Sequence, residues 1–408
     1  MRELTRTMRW LLVVAMLAAV TGCATTRRGQ SVPIKLMEQA QVPGMPHIRT
    51  WGDQVDDWYI ESLVNADRQE AAYYAAHPEE SLPPTEDILA LSGGGQNGAF
   101  GAGLLCGWST IGDRPQFKLV TGISTGALIA PLAFLGPEYD PILRRAYTTI
   151  EEEDVLDPRF ILAIMRKDAL ADTEPLGELI QEWLTPAMFE AVAVEHAKGR
   201  RLLIATVNLE AQRPVIWDMG AVASSGHPRA LDLFRKIMLA SASIPGAFEP
   251  QYFRVEVNGE TYEELHVDGG TMAQVFLWGA GVNVRALGDR LGADAARRPI
   301  RLFVVRNGLF QPEPQQIKGL FIDIAGRAVA TLIKTQGIGD MFRLYTIAQE
   351  SGMEFNLAHI PPSFTHESKA VFDQEYMNAL FQFGYDQARG GALWNHKPPY
   401  LHAGVGTR

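Results

Sequence analysis

Residues Phe117–Leu135 read FKLVTGISTGALIAPLAFL, and this stretch decides the fold. It begins as an apolar run typical of a buried strand, passes through Gly122-Ile123-Ser124-Thr125-Gly126, and continues as an apolar helix. Glycines on both sides of a serine permit a sharp strand-to-helix turn, which exposes the serine hydroxyl beside a helix amino terminus. The alternative is a turn of small residues that serves close packing. The stretch alone does not separate the two.

The same alternation of strand, turn and helix continues on both sides of this stretch. Apolar strands are predicted at DILALS, RLLIATVNLE, PVIWDM, EELHVDGG and RLFVVRNG, and amphipathic or long helices at ALDLFRKIMLASA, IKGLFIDIAGRAVATLIKTQ and AVFDQEYMNALFQFGYDQARGG. This order predicts an α/β fold, a three-layer α/β/α sandwich with a mainly parallel central sheet. Such sheets carry their sites at the carboxyl ends of the strands. Apolar residues around Leu320 to Leu332 are expected to pack in the core, with approach to a membrane as the alternative.

A second glycine turn, SGGGQNGAF from Ser92 to Phe100, follows the first predicted strand. Without side chains, Gly93, Gly94 and Gly95 can present main-chain N–H groups to an oxyanion or a phosphate. Together with Gly98 they also satisfy the dinucleotide pattern G-x-G-x-x-G. No lysine with serine or threonine follows at P-loop spacing, and only Asp113 could supply the acid for a ribose. Dinucleotide binding is therefore the weaker alternative.

A third turn, HVDGG from His266 to Gly270, ends a later predicted strand. Asp268 would face the same sheet edge as Ser124 and could take its proton directly, while Gly269 and Gly270 let the chain turn. A rival mechanism uses His266 as the base and Asp268 to orient it, because residues two apart on a strand share a face. Their spacing of about 7 Å suits neighbours better than a triad relay.

Taken together, a strand into GGGxxG, then GxSxG, then DGG resembles the patatin-like phospholipases. The segment ASASIPGAFEP, from Ala240 to Pro250, is similar to the family's serine-rich turn, so Ser241 and Ser243 are interpreted as structural. The resemblance is strong over residues 87–285.

This resemblance implies a Ser–Asp dyad with Ser124 as nucleophile and Asp268 as base, and an oxyanion hole formed by Gly93, Gly94 and Gly95. It also implies no metal and no cofactor. Many family members carry a basic residue where this chain has Asn97, so a positive charge near the oxyanion is missing.

The function implied is a lipid acyl hydrolase, of phospholipase A or lysophospholipase type, acting through an acyl-enzyme on membrane phospholipid or another acyl ester. Two alternatives stay open. One is a general esterase or acyltransferase, and the other is a non-catalytic interaction module of the cell envelope.

The amino terminus carries a targeting signal. Arg2, Arg6 and Arg9 precede the apolar run Trp10–Val20, which is too short to span a membrane and is typical of a signal peptide. VTGC, ending at Cys23, resembles a bacterial lipobox, which implies that Cys23 is lipidated and anchors the protein. An ordinary secretory signal with a chance cysteine is the alternative. Since Ala24 is not aspartate, the outer membrane facing the periplasm is the expected location.

Composition sets the remaining limits. The chain has 408 residues, 47% hydrophobic content and a net charge of −10, which argues against nucleic acid as a partner. Besides Cys23 only Cys106 is present, so we expect neither a disulfide nor a cysteine metal site. The predicted division is a signal peptide at 1–22, a tether and helical segment at 23–86, a catalytic core at 87–285, and a strand and helix region at 286–408. The sequence leaves the oligomeric state undetermined.

Overall fold

The structure is a computed structural model, and it describes residues 29–54, 56–151, 155, 173–278, 298–391 and 393–401. The predicted signal peptide and Cys23 lie outside these residues. Within them, no helix combines the length and the apolar character needed to cross a membrane.

Nine strands of the described part form one sheet. They are β1 (Arg49–Trp51), β2 (Glu86–Leu91), β3 (Leu119–Gly122), β4 (Arg201–Asn208), β5 (Arg213–Asp218), β6 (Gln251–Val257), β7 (Glu260–Asp268), β8 (Ile300–Leu309) and β9 (Glu354–Ile360). The main order is β1-β5-β4-β3-β2-β8-β9, and the five strands from β4 to β9 in this order run parallel. The prediction of a mainly parallel sheet is therefore confirmed.

Antiparallel strands extend one side of this parallel sheet. β5 pairs with β4 and β1, while β7 forms a hairpin with β6 and reaches β4 only with its last residues, from His266 to Asp268. The sequence predicted the strand that carries Asp268 but not its direction. Asp268 pairs with Thr206, near the carboxyl end of β4, so an antiparallel strand brings the carboxylate to the expected edge.

Helices cover both faces of the sheet. They are α1 (Asp57–Ala76), α2 (Gly98–Thr110), α3 (Thr125–Leu135), α4 (Asp140–Thr148), α5 (Glu174–Trp183), α6 (Pro186–Ala197), α7 (Met219–Ala223), α8 (Ala230–Ser241), α9 (Phe321–Ser351) and α10 (Gln374–Arg389). Successive side chains of β2 point to opposite faces of the sheet and so enter different layers. Leu89 and Leu91 enter the core with α2 and α10, whereas Ile88 and Ala90 enter the core with α1 and α9. This is the predicted three-layer sandwich.

One prediction about the core is wrong. The apolar residues around Leu320 to Leu332 were expected to be buried, but Leu320 is 61% and Leu332 70% exposed. The carboxyl half of α9 buries Met341, Leu344 and Ala348 under the sheet, and none of the residues from Asp323 to Gln336 is buried. Helical amphipathicity alone could not reveal that this helix is longer than the sheet it covers.

Candidate active site

Ser124 occupies a strained turn between β3 and α3. Its backbone has φ 55° and ψ −127°, a conformation that residues with a side chain rarely adopt. A Cβ at Gly122 would overlap the carbonyl oxygen of Gly126, and a Cβ at Gly126 would overlap that of Leu91. Both glycines are therefore needed for the turn, which has the geometry of a nucleophile elbow.

A neighbouring serine fixes this turn. The main-chain N–H of Ser124 donates to Ser241 Oγ at 3.1 Å, and Ser241 Oγ donates to the carbonyl of Ala205 at 2.7 Å. Ser243 Oγ donates to Leu239 O at 2.8 Å, while its carbonyl accepts from Asp268 N at 2.9 Å. Both serine hydroxyls are thus bound to main-chain groups, which agrees with the structural interpretation of this segment.

Asp268 is the acid that faces Ser124. Burial raises the pKa of Asp268 to about 7, and hydrogen bonds from the Ser124 hydroxyl and the Gly270 N–H oppose this rise. Gly270 N donates to Oδ1 at 2.6 Å, whereas Oδ2 has no partner of ordinary hydrogen-bond geometry among the described residues. The contact with the Ser124 hydroxyl is thus longer or more bent than an ordinary hydrogen bond. Catalytic hydrogen bonds of this kind tighten around the reacting group.

His266 is engaged elsewhere. Its ring nitrogens lie 2.8 Å from Thr206 Oγ1 and 3.1 Å from Glu264 Oε2, and the residue is fully buried. Since Thr206 Oγ1 already accepts from Trp217 Nε1, it can donate to the histidine, whose other nitrogen then donates to Glu264. Neither ring nitrogen is left to accept the serine proton.

Glu264 forms a buried ion pair with Arg49. Although burial alone would raise its pKa, Arg49 and His266 hold the pKa of Glu264 at about 2. Arg49 Nη1 lies 2.5 Å from Glu264 Oε2, and Arg49 Nη2 also donates to Ala40 O at 2.9 Å. Burial lowers the pKa of His266, so the histidine is a neutral part of this structural network.

The glycine loop after β2 lies against the elbow, but its three predicted donors differ. Gly93 N already donates to Gln274 O at 2.9 Å. For the N–H groups of Gly94 and Gly95 we find no such bond among the described residues. Gly95 lines the same cleft as Ser124. Gly94 runs so close to Asn307 that a Cβ would overlap the carbonyl oxygen of that residue.

The side-chain amides of Gln274 and Asn307 hold the glycine loop in place, and no sequence motif marks either residue. Gln274 Nε2 donates to Gly270 O at 3.2 Å, so Gln274 joins the Asp268 turn to the loop through Gly93. Asn307 Nδ2 donates to Ser92 O at 2.9 Å and its Oδ1 accepts from Gly101 N at 3.0 Å. Their only signal in the sequence is proximity to the DGG turn and to a strand end.

The remaining motif glycines allow close approach around the elbow. A Cβ at Gly98 would overlap Thr125 Oγ1, and one at Gly269 would lie 2.6 Å from Ala205 O. Thr125 Oγ1 lies 2.5 Å from the Tyr147 hydroxyl beside Gly98. Asn97 Oδ1 accepts from the Tyr376 hydroxyl at 2.8 Å.

An apolar cleft opens at Ser124. Its walls come from the elbow, the glycine loop and the surrounding helices, with lining residues that include Leu128, Ile150, Leu176, Trp183, Phe248, Phe372 and Met377. An apolar cleft with one polar end suits a hydrocarbon chain that carries a reactive polar group.

A cluster of carboxylates lies away from this cleft. The acids Asp67, Glu70 and Glu86 have oxygens within 4.8 Å of one another. Lys118 Nζ lies 2.9 Å from Glu70 and 3.2 Å from Asp67, and Arg298 contacts both glutamates. Each of the three acids is paired with one of these cations, so the cluster is a salt-bridge network that ties α1 to the sheet.

Residues 89–280 match the model of the family described as Patatin-like phospholipase. No curated protein sequence matches significantly.

Solved structures give distant matches. VipD from Legionella pneumophila is 12% identical with a TM-score of 0.37, over 76% of this chain and 67% of VipD. The type III effector protein ExoU is 12% identical with a TM-score of 0.29, over 76% and 54%. Human GIVD cytosolic phospholipase A2, in complex with methyl gamma-linolenyl fluorophosphonate, is 11% identical with a TM-score of 0.31, over 90% and 69%. At these values the likenesses carry no information about activity.

The family match covers all three glycine turns, and the geometry of those turns agrees with it. Residues 89–280 therefore form a patatin-like phospholipase domain, the domain of a lipid-hydrolysing enzyme.

Proposed function

We propose that the protein hydrolyses acyl esters of membrane phospholipids through a covalent intermediate on Ser124. One observation carries the proposal: a serine on a strained elbow faces a buried acid, Asp268, at the polar end of an apolar cleft. An acid whose pKa lies near 7 is suited to accept and return a proton at neutral pH.

The reaction has two halves. In the first, Ser124 Oγ attacks the ester carbonyl while its proton passes to the Asp268 carboxylate. Asp268 then returns this proton to the leaving alcohol as the carbon–oxygen bond breaks. In the second half, water attacks the acyl-enzyme and gives its proton to Asp268, which passes it to Ser124 Oγ as the fatty acid leaves.

The oxyanion that forms in each half needs main-chain donors. We assign this role to the N–H groups of Gly94 and Gly95, because Gly93 already donates to Gln274. A preorganised donor of this kind is typically worth about 3 kcal/mol of transition-state stabilisation.

A long-chain alkyl fluorophosphonate tests the nucleophile. Wild-type protein should be labelled and should release fatty acid from vesicles of phosphatidylethanolamine and phosphatidylglycerol, as measured by mass spectrometry. Ser124→Ala should lose both, and Ser224→Ala, at an exposed serine of another helix end, should lose neither. Labelling that survives Ser124→Ala would remove Ser124 from the mechanism.

We further propose that Cys23 is acylated after removal of residues 1–22 and holds the enzyme at the outer membrane, facing the periplasm. The order of arginines, apolar run and VTGC supports this proposal. Globomycin, which blocks lipoprotein maturation, should leave the precursor uncleaved, and Cys23→Ser should abolish incorporation of labelled palmitate. Palmitate labelling that persists in Cys23→Ser would contradict the anchor.

A further inference from the structure

Helix α9 extends past the sheet on the side that carries the active site. Its 31 residues span roughly 46 Å, whereas the seven residues of β9 span about 23 Å. Because α9 connects the carboxyl end of β8 to the amino end of parallel β9, its own amino end lies at the carboxyl edge of the sheet. This is the edge of Ser124.

Contacts show where the helix leaves the sheet. The side chain of Gln336 donates to Met272 O, and Asp340 Oδ2 accepts from Gln274 N at 2.7 Å. Both partners follow the turn that begins at Asp268. The residues of α9 before Gln336 therefore project beyond the active-site edge, and we call them, together with residues 317–320 that lead into the helix, the projecting segment (residues 317–335).

The projecting segment turns its apolar side outward. Ile317, Leu320, Ile324, Val329 and Leu332 are between 47% and 70% exposed. Its polar side is bound to the preceding loop instead, because Arg327 contacts Glu313 O and Gln315, and Lys334 contacts Gln311 O and Glu313. Helices on the surface of a soluble domain usually show the opposite arrangement, with the apolar side packed inward.

We propose that the projecting segment docks on the surface of a phospholipid bilayer and brings the mouth of the cleft to its substrate. The proposal rests on the proposed function, which requires the enzyme to reach an ester at a lipid surface. An amphipathic helix that lies in the interface buries its apolar side among the acyl chains and keeps its charges among the headgroups.

Two observations favour a bilayer over a second copy of the chain. The exposed side adjoins the turn that carries Asp268, because Gln336, the residue that follows the segment, contacts Met272, which is itself 39% exposed. The local charge is also positive. Residues 317–336 contain Lys318, Arg327 and Lys334 against Asp323, and Glu313, which pairs with Lys334, brings the local net charge to +1 in a chain of net charge −10. A positive charge attracts the headgroups of anionic lipids.

A fluorophore that responds to polarity tests insertion directly. Leu332→Cys would be labelled with nitrobenzoxadiazole in the full chain, on a background of Cys23→Ser and Ser124→Ala, since Cys106 is buried. Val194→Cys is the matched control, because Val194 is 56% exposed near the end of α6 that leads into the opposite sheet edge. Vesicles of phosphatidylethanolamine and phosphatidylglycerol at 3:1 should shift the emission to the blue at position 332 and not at 194.

An unchanged spectrum at position 332 in the presence of saturating vesicles would overturn the proposal. So would a blue shift without vesicles that grows with protein concentration, since it would assign the surface to a second copy. This measurement needs no turnover, so it can succeed even where the proposed hydrolysis fails.

Comparison of vesicle and soluble substrates tests whether docking promotes hydrolysis at the lipid surface. Ile324→Asp with Leu332→Asp, in an otherwise active chain, should lower the ratio of vesicle hydrolysis to hydrolysis of a soluble butyrate ester by about tenfold or more. Val194→Asp should leave this ratio unchanged. Absent hydrolysis of both substrates by wild type would reject the proposed function alone, whereas normal hydrolysis with an unaltered ratio in the double variant would reject the docking surface.

Discussion

The side chain of Ser241 holds the main chain of Ser124. Its hydroxyl accepts from Ser124 N at 3.1 Å, donates to Ala205 O at 2.7 Å, and is fully buried. The strained elbow is therefore stabilised from outside the GxSxG motif, by a serine 117 positions further along the chain. Strain of this kind persists only where surrounding contacts hold it.

Ser241→Ala should reduce both stability and activity. It leaves the Ser124 N–H buried without a partner, which costs about 1–3 kcal/mol. It also loosens the nucleophile, so we expect kcat to fall by about tenfold or more. Ser243→Ala is the matched control in the same turn, because its hydroxyl donates to a helix carbonyl and not to the elbow. Equal loss of kcat in both variants would show that the turn as a whole matters and not the bond to Ser124.

Asp268→Asn should abolish turnover and yet stabilise the fold above neutral pH. The folded pKa of Asp268 is about 7, above the usual 3.8, so the folded state binds this proton more tightly than the unfolded state. Asp268 therefore costs increasing stability as the pH rises from about 4 to about 7, and the full cost remains above that range.

Denaturant unfolding of both proteins at several pH values checks this sign. The advantage of Asp268→Asn should grow through that window and vanish below it. In the wild type, kcat/KM should rise with pH and level off above about 7, because the carboxylate is the active form. A kcat/KM that falls with rising pH over this range would show instead that the protonated form of Asp268 is the active one.

His266→Ala should cost stability more than chemistry. The ring fills a buried position and bonds Thr206 and Glu264, so we expect a loss of about 2–4 kcal/mol in the free energy of unfolding. Assayed well below its melting temperature, the folded variant should keep kcat within about fivefold of wild type, since no catalytic contact is removed. A large loss of kcat with an unchanged melting temperature would instead restore the histidine as base.

Alanine at Gly94 and at Gly95 should have different effects. A Cβ at Gly94 would overlap Asn307 O, and main-chain atoms cannot move aside cheaply. Gly94→Ala should therefore unfold or inactivate the protein. No atom lies within 4 Å of a Cβ at Gly95, whose φ of +56° costs alanine roughly 1–2 kcal/mol. Gly95→Ala should fold with a lower melting temperature, which circular dichroism can follow, and equal behaviour of the two would contradict this account of the loop.

Much of this protein is determined by local sequence. The period of the apolar residues predicts the strands and helices, and the three glycine turns predict which strand ends carry the site, because a close turn or a strained φ excludes other residues. Ser124 and Asp268 could be predicted as site residues for this reason. The amino-terminal signal and Cys23 lie outside the described residues, so their roles stay predictions.

Other features depend on contacts between distant parts of the chain, which no local pattern records. Only the tertiary structure shows that β7 runs antiparallel and still brings Asp268 to the edge, that Gln274 occupies the Gly93 N–H, and that Thr206 and Glu264 occupy His266. It also decides that α9 exceeds the sheet, since the length a helix can bury is set by the strands beneath it. Periodicity fixes which side of a helix is apolar, and the fold alone decides what that side meets.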